Sequence, residues 1–266
     1  MILKTIGFIL RAIKFRESDL ILTALTRDYG KVSLIAKAAR RTESKFGAAL
    51  DLLTLSEFVF YDAENLKLLK EASILEDYRA LKSDYDRLTL ALQTAHLLNQ
   101  LIEEHHPDRA VFEFLKDFLD ALGLLKDLDL AALAVKLKLT RALGIAPRMS
   151  KCARGGPGCA WAVRLTSPPA SSPSPLWLPS PSEGRGDGGE GVWFSPQSGG
   201  FVCGACHQAG DTRLSPRLAQ NLKMILGLGW DKLDRLELPK DEMTLAQRVL
   251  DELIGFHLKT PYMPSK

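Results

Sequence analysis

Over about the first 75 positions, apolar residues come in short runs broken by turn-forming residues. The runs lie at 5–15, 20–26, 31–37, 53–61 and 66–74 and are rich in Leu, Phe and β-branched side chains. Alternation of apolar and polar positions is imperfect but visible, and in 20–26 both faces are largely apolar, as in a strand buried on two sides. Arg16-Glu17-Ser18-Asp19 and Asp28-Tyr29-Gly30 are the connectors, with Gly30 free to take the positive φ that closes a hairpin. Five strands in fewer than 80 residues predict a small closed barrel. An OB-fold is the commonest five-stranded solution, and an SH3-like barrel is the alternative.

The period then changes to that of helices. In 83–104, Leu88, Leu90, Leu92, Ala95, Leu97, Leu98, Leu101 and Ile102 recur at three- and four-residue spacing, Ser83 can cap the start, and His105-His106-Pro107 ends the run. His96, among these apolar neighbours, reads as a core histidine. A second helix is expected over 108–122, stopped by Gly123, and a third over 129–143, stopped by Gly144 with Pro147 beyond. Ser215-Pro216 is a good N-cap and first-turn pair for a helix ending at Gly227, and Thr244 opens one carrying Val249, Leu250, Leu253, Ile254 and Leu258. These five helices can form one bundle. The expected class is therefore α+β and multidomain: a barrel over 1–80, helical parts over 81–148 and 213–266, and an inserted module over 149–212. Within that module, 165–191 is so dense in Pro, Ser and Gly that it reads as a disordered surface loop, because it cannot bury enough apolar area to offset chain entropy.

All four cysteines fall in the inserted module, as Cys152/Cys159 and Cys203/Cys206. The second pair is a C-x2-C in a glycine-rich setting that resembles a zinc knuckle. The first is a C-x6-C, wider than usual for structural zinc, with a flexible Ala153-Arg154-Gly155-Gly156-Pro157-Gly158 filler. Four thiolates make a closed tetrahedral set, which suits one structural ion with no open position for catalysis. Zinc fits best, although spacing alone leaves iron open. Two disulfides or a redox C-x2-C are the competing readings, and His207 is a reserve ligand.

Composition narrows the rest. No apolar run approaches the roughly 20 residues of a membrane span, and the N-terminus lacks the order of a secretory signal, so a cytoplasmic protein without membrane partners is expected. The net charge of +3 conceals a division: residues 1–48 hold ten Lys/Arg against four Asp/Glu, or +6, and the remainder sums to −3. A positive end suits a polyanion. No phosphate loop, nucleophile elbow, metalloprotease helix or deaminase set occurs, so no enzyme activity is expected and none of the residues is a catalytic candidate. Lys116, Lys126, Lys136, Lys138 and Arg141 on the helices could receive an acidic partner segment or simply be solvated.

These features together resemble a family. Gly7-Phe8-Ile9-Leu10-Arg11, Phe15 through Leu22, Leu25-Thr26, Tyr29-Gly30-Lys31 and Lys37-Ala38-Ala39-Arg40-Arg41 look like the N-terminal signature of the RecO proteins. Glu57 through Tyr61 and Leu66 through Ala72 are similar to its later strands. Leu143 through Pro147 before Cys152, and Phe194 through Gly200 before Cys203, resemble its approach to and return from a zinc module. The resemblance spans nearly the whole chain outside 165–191, with a wider first cysteine pair and a longer intervening loop. It implies an OB-fold followed by a helical domain carrying a four-cysteine zinc module. It also implies a nucleoid-associated mediator of DNA repair and recombination that binds single- and double-stranded DNA and anneals complementary strands. Such a protein works with RecR to help load RecA onto strands coated by single-strand-binding protein. Arg11, Lys14, Lys31, Lys37, Arg40, Arg41 and Lys45 are the candidate DNA contacts, because strands two and three and the loop after strand one line the usual OB face. Among the interleaved aromatics, Phe15 is expected to pack in the barrel, whereas Tyr29 and Phe46 are equally suited to packing or to base stacking. A protein-interaction adaptor with incidental DNA contact is the alternative.

Overall fold

The computed structural model describes residues 1–63, 66–104, 106–155, 159 and 191–257. The contacts divide the chain into two compact units, Met1–Leu128 and Asp129–Lys266.

The first unit opens with five strands: β1 (Ile2–Phe15), β2 (Asp19–Thr26), β3 (Gly30–Ala36), β4 (Leu55–Tyr61) and β5 (Leu66–Glu76). They close in the order β1-β2-β3-β5-β4, with β3 and β5 parallel and the other pairs antiparallel. This closure is that of an OB-fold, as the sequence favoured over an SH3-like barrel. Strand β1 is long enough to serve two neighbours. Ile2 to Phe8 pair with β4, Gly7 to Phe15 pair with β2, and a register shift between Ile9 and Arg11 bends the strand from one to the other. Phe58, Phe60, Leu22, Leu34 and Phe46 fill the interior. Phe46 is only 4% exposed, and Tyr29 packs edge-on against Phe60 with ring centroids 5.8 Å apart, so both aromatics belong to the core. Phe15, expected inside, instead lies half-buried at the hairpin tip under the Arg16 guanidinium. Gly30 has φ 65° as its hairpin demands; a Cβ there would also fall 2.2 Å from the His106 carbonyl oxygen.

Helices α1 (Arg79–Lys82), α2 (Tyr85–Leu101) and α3 (Arg109–Leu122) belong to the same unit. Phe8 reaches Phe112 of α3 with ring centroids 5.6 Å apart, and the Tyr78 hydroxyl donates to Asp120 at 2.7 Å. Two expectations are corrected. Ser83 closes α1, and it is Asp84 that caps α2, because its carboxylate accepts from the amides of both Asp86 and Arg87. His96 is exposed and hydrogen-bonds Gln100 at 3.0 Å, since it lies off the stripe of Leu90, Ala91, Thr94, Leu97 and Leu98 that α2 buries. Asp108 caps α3 by accepting from the amides of Ala110 and Val111. Asp108→Ala should cost about 1 kcal/mol, read as a lowered midpoint in urea with an unchanged slope.

The second unit holds α4 (Leu128–Ala142), a three-stranded antiparallel sheet and two later helices. Strands β6 (Val192–Ser195), β7 (Gly200–Cys203) and β8 (Thr212–Leu214) lie in the order β7-β6-β8. Helix α5 (Pro216–Gly227) is capped by Ser215, as its sequence predicts. Helix α6 (Lys240–His257) starts four residues before Thr244, whose hydroxyl donates to the Lys240 carbonyl from inside the helix. The expected helical contribution of Leu258 and nearly all of the predicted disordered loop lie outside the described residues. Three of the helical cations serve the fold: Lys136 pairs with Asp251 at 2.6 Å, while Lys138 and Arg141 donate to the carbonyls of Leu228 and Leu226 at the end of α5. No helix among the described residues is long and apolar enough to cross a membrane.

Candidate metal centre and nucleic-acid face

The β6–β7 hairpin and the chain leaving α4 bring the cysteines together. Arg148 runs beside β7, donating to Gly199 and accepting from Phe201, each at 2.8 Å. Gly200 permits this approach. It has φ 153°, and a Cβ there would lie 2.3 Å from the Arg148 carbonyl oxygen. One step on, the Ala153 amide donates to Phe201 at 2.7 Å, which lays the first cysteine pair against the second. The amides of Cys206 and His207 both donate to the Cys203 carbonyl, wrapping the C-x2-C into a tight turn.

The sulfurs of Cys152, Cys159, Cys203 and Cys206 all lie within 4.8 Å of one another, and those of Cys159 and Cys203 are 3.6 Å apart. Thiolates at about 2.3 Å from a tetrahedral zinc would lie about 3.8 Å apart, so the cluster has the size of one four-thiolate site and can hold a metal ion. All four thiols are free, and three of the residues are buried. Burial alone would raise the Cys203 thiol, but hydrogen bonds from the Cys206 and Cys159 thiols and from the amides of Ala205 and Cys206 bring it down to about 7. Burial and its donation to Cys203 push Cys206 up to about 12, and burial also raises Cys152. One thiolate near neutral pH, with its neighbours as donors, is a set from which a cation displaces the remaining protons. His207, the reserve ligand, turns Nδ1 to the Gly204 carbonyl at 2.7 Å and is not part of the cluster.

Arg154, which by sequence is only filler between the first two cysteines, holds the module together. Its guanidinium forms a two-pronged pair with Asp211 and also reaches the Ser195 hydroxyl at 3.1 Å and the Cys206 carbonyl at 3.3 Å. Burial works to raise the Asp211 carboxyl, but the hydrogen bonds from Arg154 and the Gln208 amide outweigh it and hold the group below the ordinary carboxylate range.

The candidate DNA contacts divide into two kinds. At one end of the barrel, the β1–β2 turn and the chain leaving β3 are tied together. The Ala38 amide donates to Asp19, the Arg40 amide to the Ser18 carbonyl, and the Arg40 guanidinium to the Glu17 carbonyl, at 2.8–3.0 Å. This stitching gathers exposed Lys14, Arg16, Lys37, Arg40 and Arg41 at one end. Lys37, Arg41 and Lys45, with Glu43, line an open depression of about 540 Å³ beside it. Arg11 is exposed three residues before Lys14 on β1. Lys31 is of the other kind. Its ammonium donates to the Asn99 carbonyl at 2.9 Å, and burial lowers it from the usual lysine range, opposed by Glu104. It fastens α2 to the barrel.

Comparison with known proteins places the chain in a family. The family model for the N-terminal region of Recombination protein O matches residues 1–78, and that for its C-terminal region matches 82–161 and 183–266. The chain belongs to the RecO family. A DNA repair protein RecO from an Exiguobacterium species is 25% identical over 264 residues, spanning 98% of this chain and 94% of the relative. RecO proteins of Anaeromyxobacter dehalogenans and Rubrobacter xylanophilus are 32% and 34% identical, over 85% and 75% of this chain and 78% and 69% of their own. RecO membership makes this a DNA repair and recombination protein. The RecO model passes over 162–182, within the stretch that is rich in Pro, Ser and Gly.

Proposed function

We propose that the protein is a non-enzymatic recombination mediator that binds single- and double-stranded DNA at the basic end of its barrel. In this reading it anneals complementary strands and, with RecR, helps load RecA onto strands coated by single-strand-binding protein, acting in the cytoplasm at the nucleoid. The observation that carries the DNA contact is the gathering of Lys14, Arg16, Lys37, Arg40 and Arg41 around one stitched turn pair, with Lys45 beside it. Lys31 drops out of the proposed contact set because it is spent on α2. Backbone contacts carry no base identity, which leaves the base edges free to pair during annealing. One Zn2+ per chain, held by Cys152, Cys159, Cys203 and Cys206, would supply folding energy to the second unit. A closed four-thiolate set presents no open position to a substrate, which supports a structural role.

Changing Lys37, Arg40 and Arg41 together to Ala tests the reading. Each lost phosphate contact should lower the log–log salt slope by about 0.7 on a single strand, so the slope should fall by about 2. Affinity should drop for all sequences alike and annealing should fall with it, while the melting temperature hardly moves, since exposed charges contribute little to stability. A triple variant that binds and anneals like the parent across a range of salt would favour the protein-adaptor reading.

A further inference from the structure

Neither the cysteine cluster nor the barrel accounts for a stacked surface on the metal module. Trp193 lies on the central strand β6 and packs against the cysteine core. Its indole is nearly parallel to the imidazole of His207, with ring centroids 4.4 Å apart and 17° between the planes. Arg213, the cross-strand partner of Trp193 on β8, holds its guanidinium 5.6 Å from the indole centre. The hydrogen bond between His207 and the Gly204 carbonyl fixes the imidazole. His207 and Arg213 are both exposed, so the tier presents a rigid aromatic face with a cation beside it.

The charges around this tier are one-sided. The described residues of the module with its flanking positions, 148–155, 159 and 191–214, include four Lys/Arg and one carboxylate. That carboxylate, Asp211, is committed to Arg154 with a side chain only 4% exposed. Arg148, Lys151 and Arg213 are exposed, with no acidic side chain among the described residues of the module left to neutralise them. A Zn2+ ion with four thiolates carries a formal charge of about −2 and offsets part of this charge, but the charged side chains exposed on the module's surface are the cations Arg148, Lys151 and Arg213.

We infer that this face binds single-stranded nucleic acid, with a base stacking on His207 and phosphates drawn to Arg213, Lys151 and Arg148. The inference rests on the reading of the chain as a DNA binder. It adds a second contact, in the second unit, that unstacked bases can use and a closed duplex cannot. The plain alternative is that the tier only roofs the cysteine cluster.

Full-length His207→Ala, His207→Phe and Arg213→Ala proteins, titrated with a dT oligonucleotide and with a duplex of equal length, separate the two. His207→Ala should bind dT about fivefold to tenfold more weakly with duplex binding held, and His207→Phe should recover the parent affinity because it restores a ring. Arg213→Ala should lower the salt slope on dT by about 0.7. Zinc content and melting temperature should match the parent in all three. Parent-like dT binding by His207→Ala, or a loss that His207→Phe does not repair, overturns the inference. If His207→Ala sheds zinc, photocrosslinking of the parent to iododeoxyuridine-substituted single strands decides: a crosslink within 203–213 sustains the second contact and none overturns it. The Lys37/Arg40/Arg41 variant keeps the two sites apart. Loss of binding there alone removes only the second contact, and loss in His207→Ala alone removes only the barrel contact.

Discussion

Replacing Cys203 and Cys206 together by Ser should abolish zinc binding and unfold part of the second unit while the barrel stays folded. The two residues supply half of the only cluster of four thiols among the described residues. Metal bound by four cysteines contributes about 10–16 kcal/mol in small zinc peptides, far more than the sheet of three strands of three or four residues each can supply. Metal analysis should fall from one ion per chain to none. Limited proteolysis should open the chain around 191–214, and the fragment carrying residues 1–128 should resist. Full zinc occupancy in the double variant would refute the four-cysteine assignment.

Asp211→Ala should loosen the same module, by a smaller amount, without touching a ligand. It removes the anion from beneath Arg154, whose guanidinium otherwise joins the Cys152 loop to Ser195 and to the Cys206 carbonyl. Leaving one partner of a buried pair uncompensated costs about 3–5 kcal/mol. The expected result is a lowered melting temperature together with faster loss of metal to a chelator. The parent should show the matching pH dependence. The folded Asp211 carboxyl lies below the ordinary range, so its contribution is present above the unfolded pKa and is lost as pH falls through the folded one. Melting temperature followed into acid should therefore fall less steeply in Asp211→Ala than in the parent. Equal slopes would assign the acid sensitivity to other groups.

The barrel was legible because each of its runs shows its period locally, and Gly30 marks a hairpin that only a positive φ closes. The bend of β1 was not legible, since the shift between Ile9 and Arg11 is decided by which of two neighbouring strands the chain must meet. Adjacent Ser83 and Asp84 are both good caps, and the choice of Asp84 falls to the carboxylate that reaches two amides at once. Residue type and spacing announced the four cysteines. Charge counting could not distinguish Lys31 from Lys37, because the carbonyl that holds Lys31 lies 68 residues away. The Arg154–Asp211 pair spans 57 residues and has no sequence pattern of its own. Contacts set by local period were readable, and those set by chain return were not.

The chain leaves the cysteine cluster at Cys159 and re-enters the sheet at Val192, and each of these points is anchored independently. Cys159 sits against Cys203, and Val192 is paired on both sides, to Cys203 and to Leu214. Where two such fixed posts are joined by a flexible connection, doubling its length adds only about 0.6 kcal/mol of closure cost. The module is thus a natural splice point. Evolution can enlarge it, and an experimenter can thread an affinity tag or fluorophore through it, with the posts taking up the disturbance before it reaches the helices of the second unit.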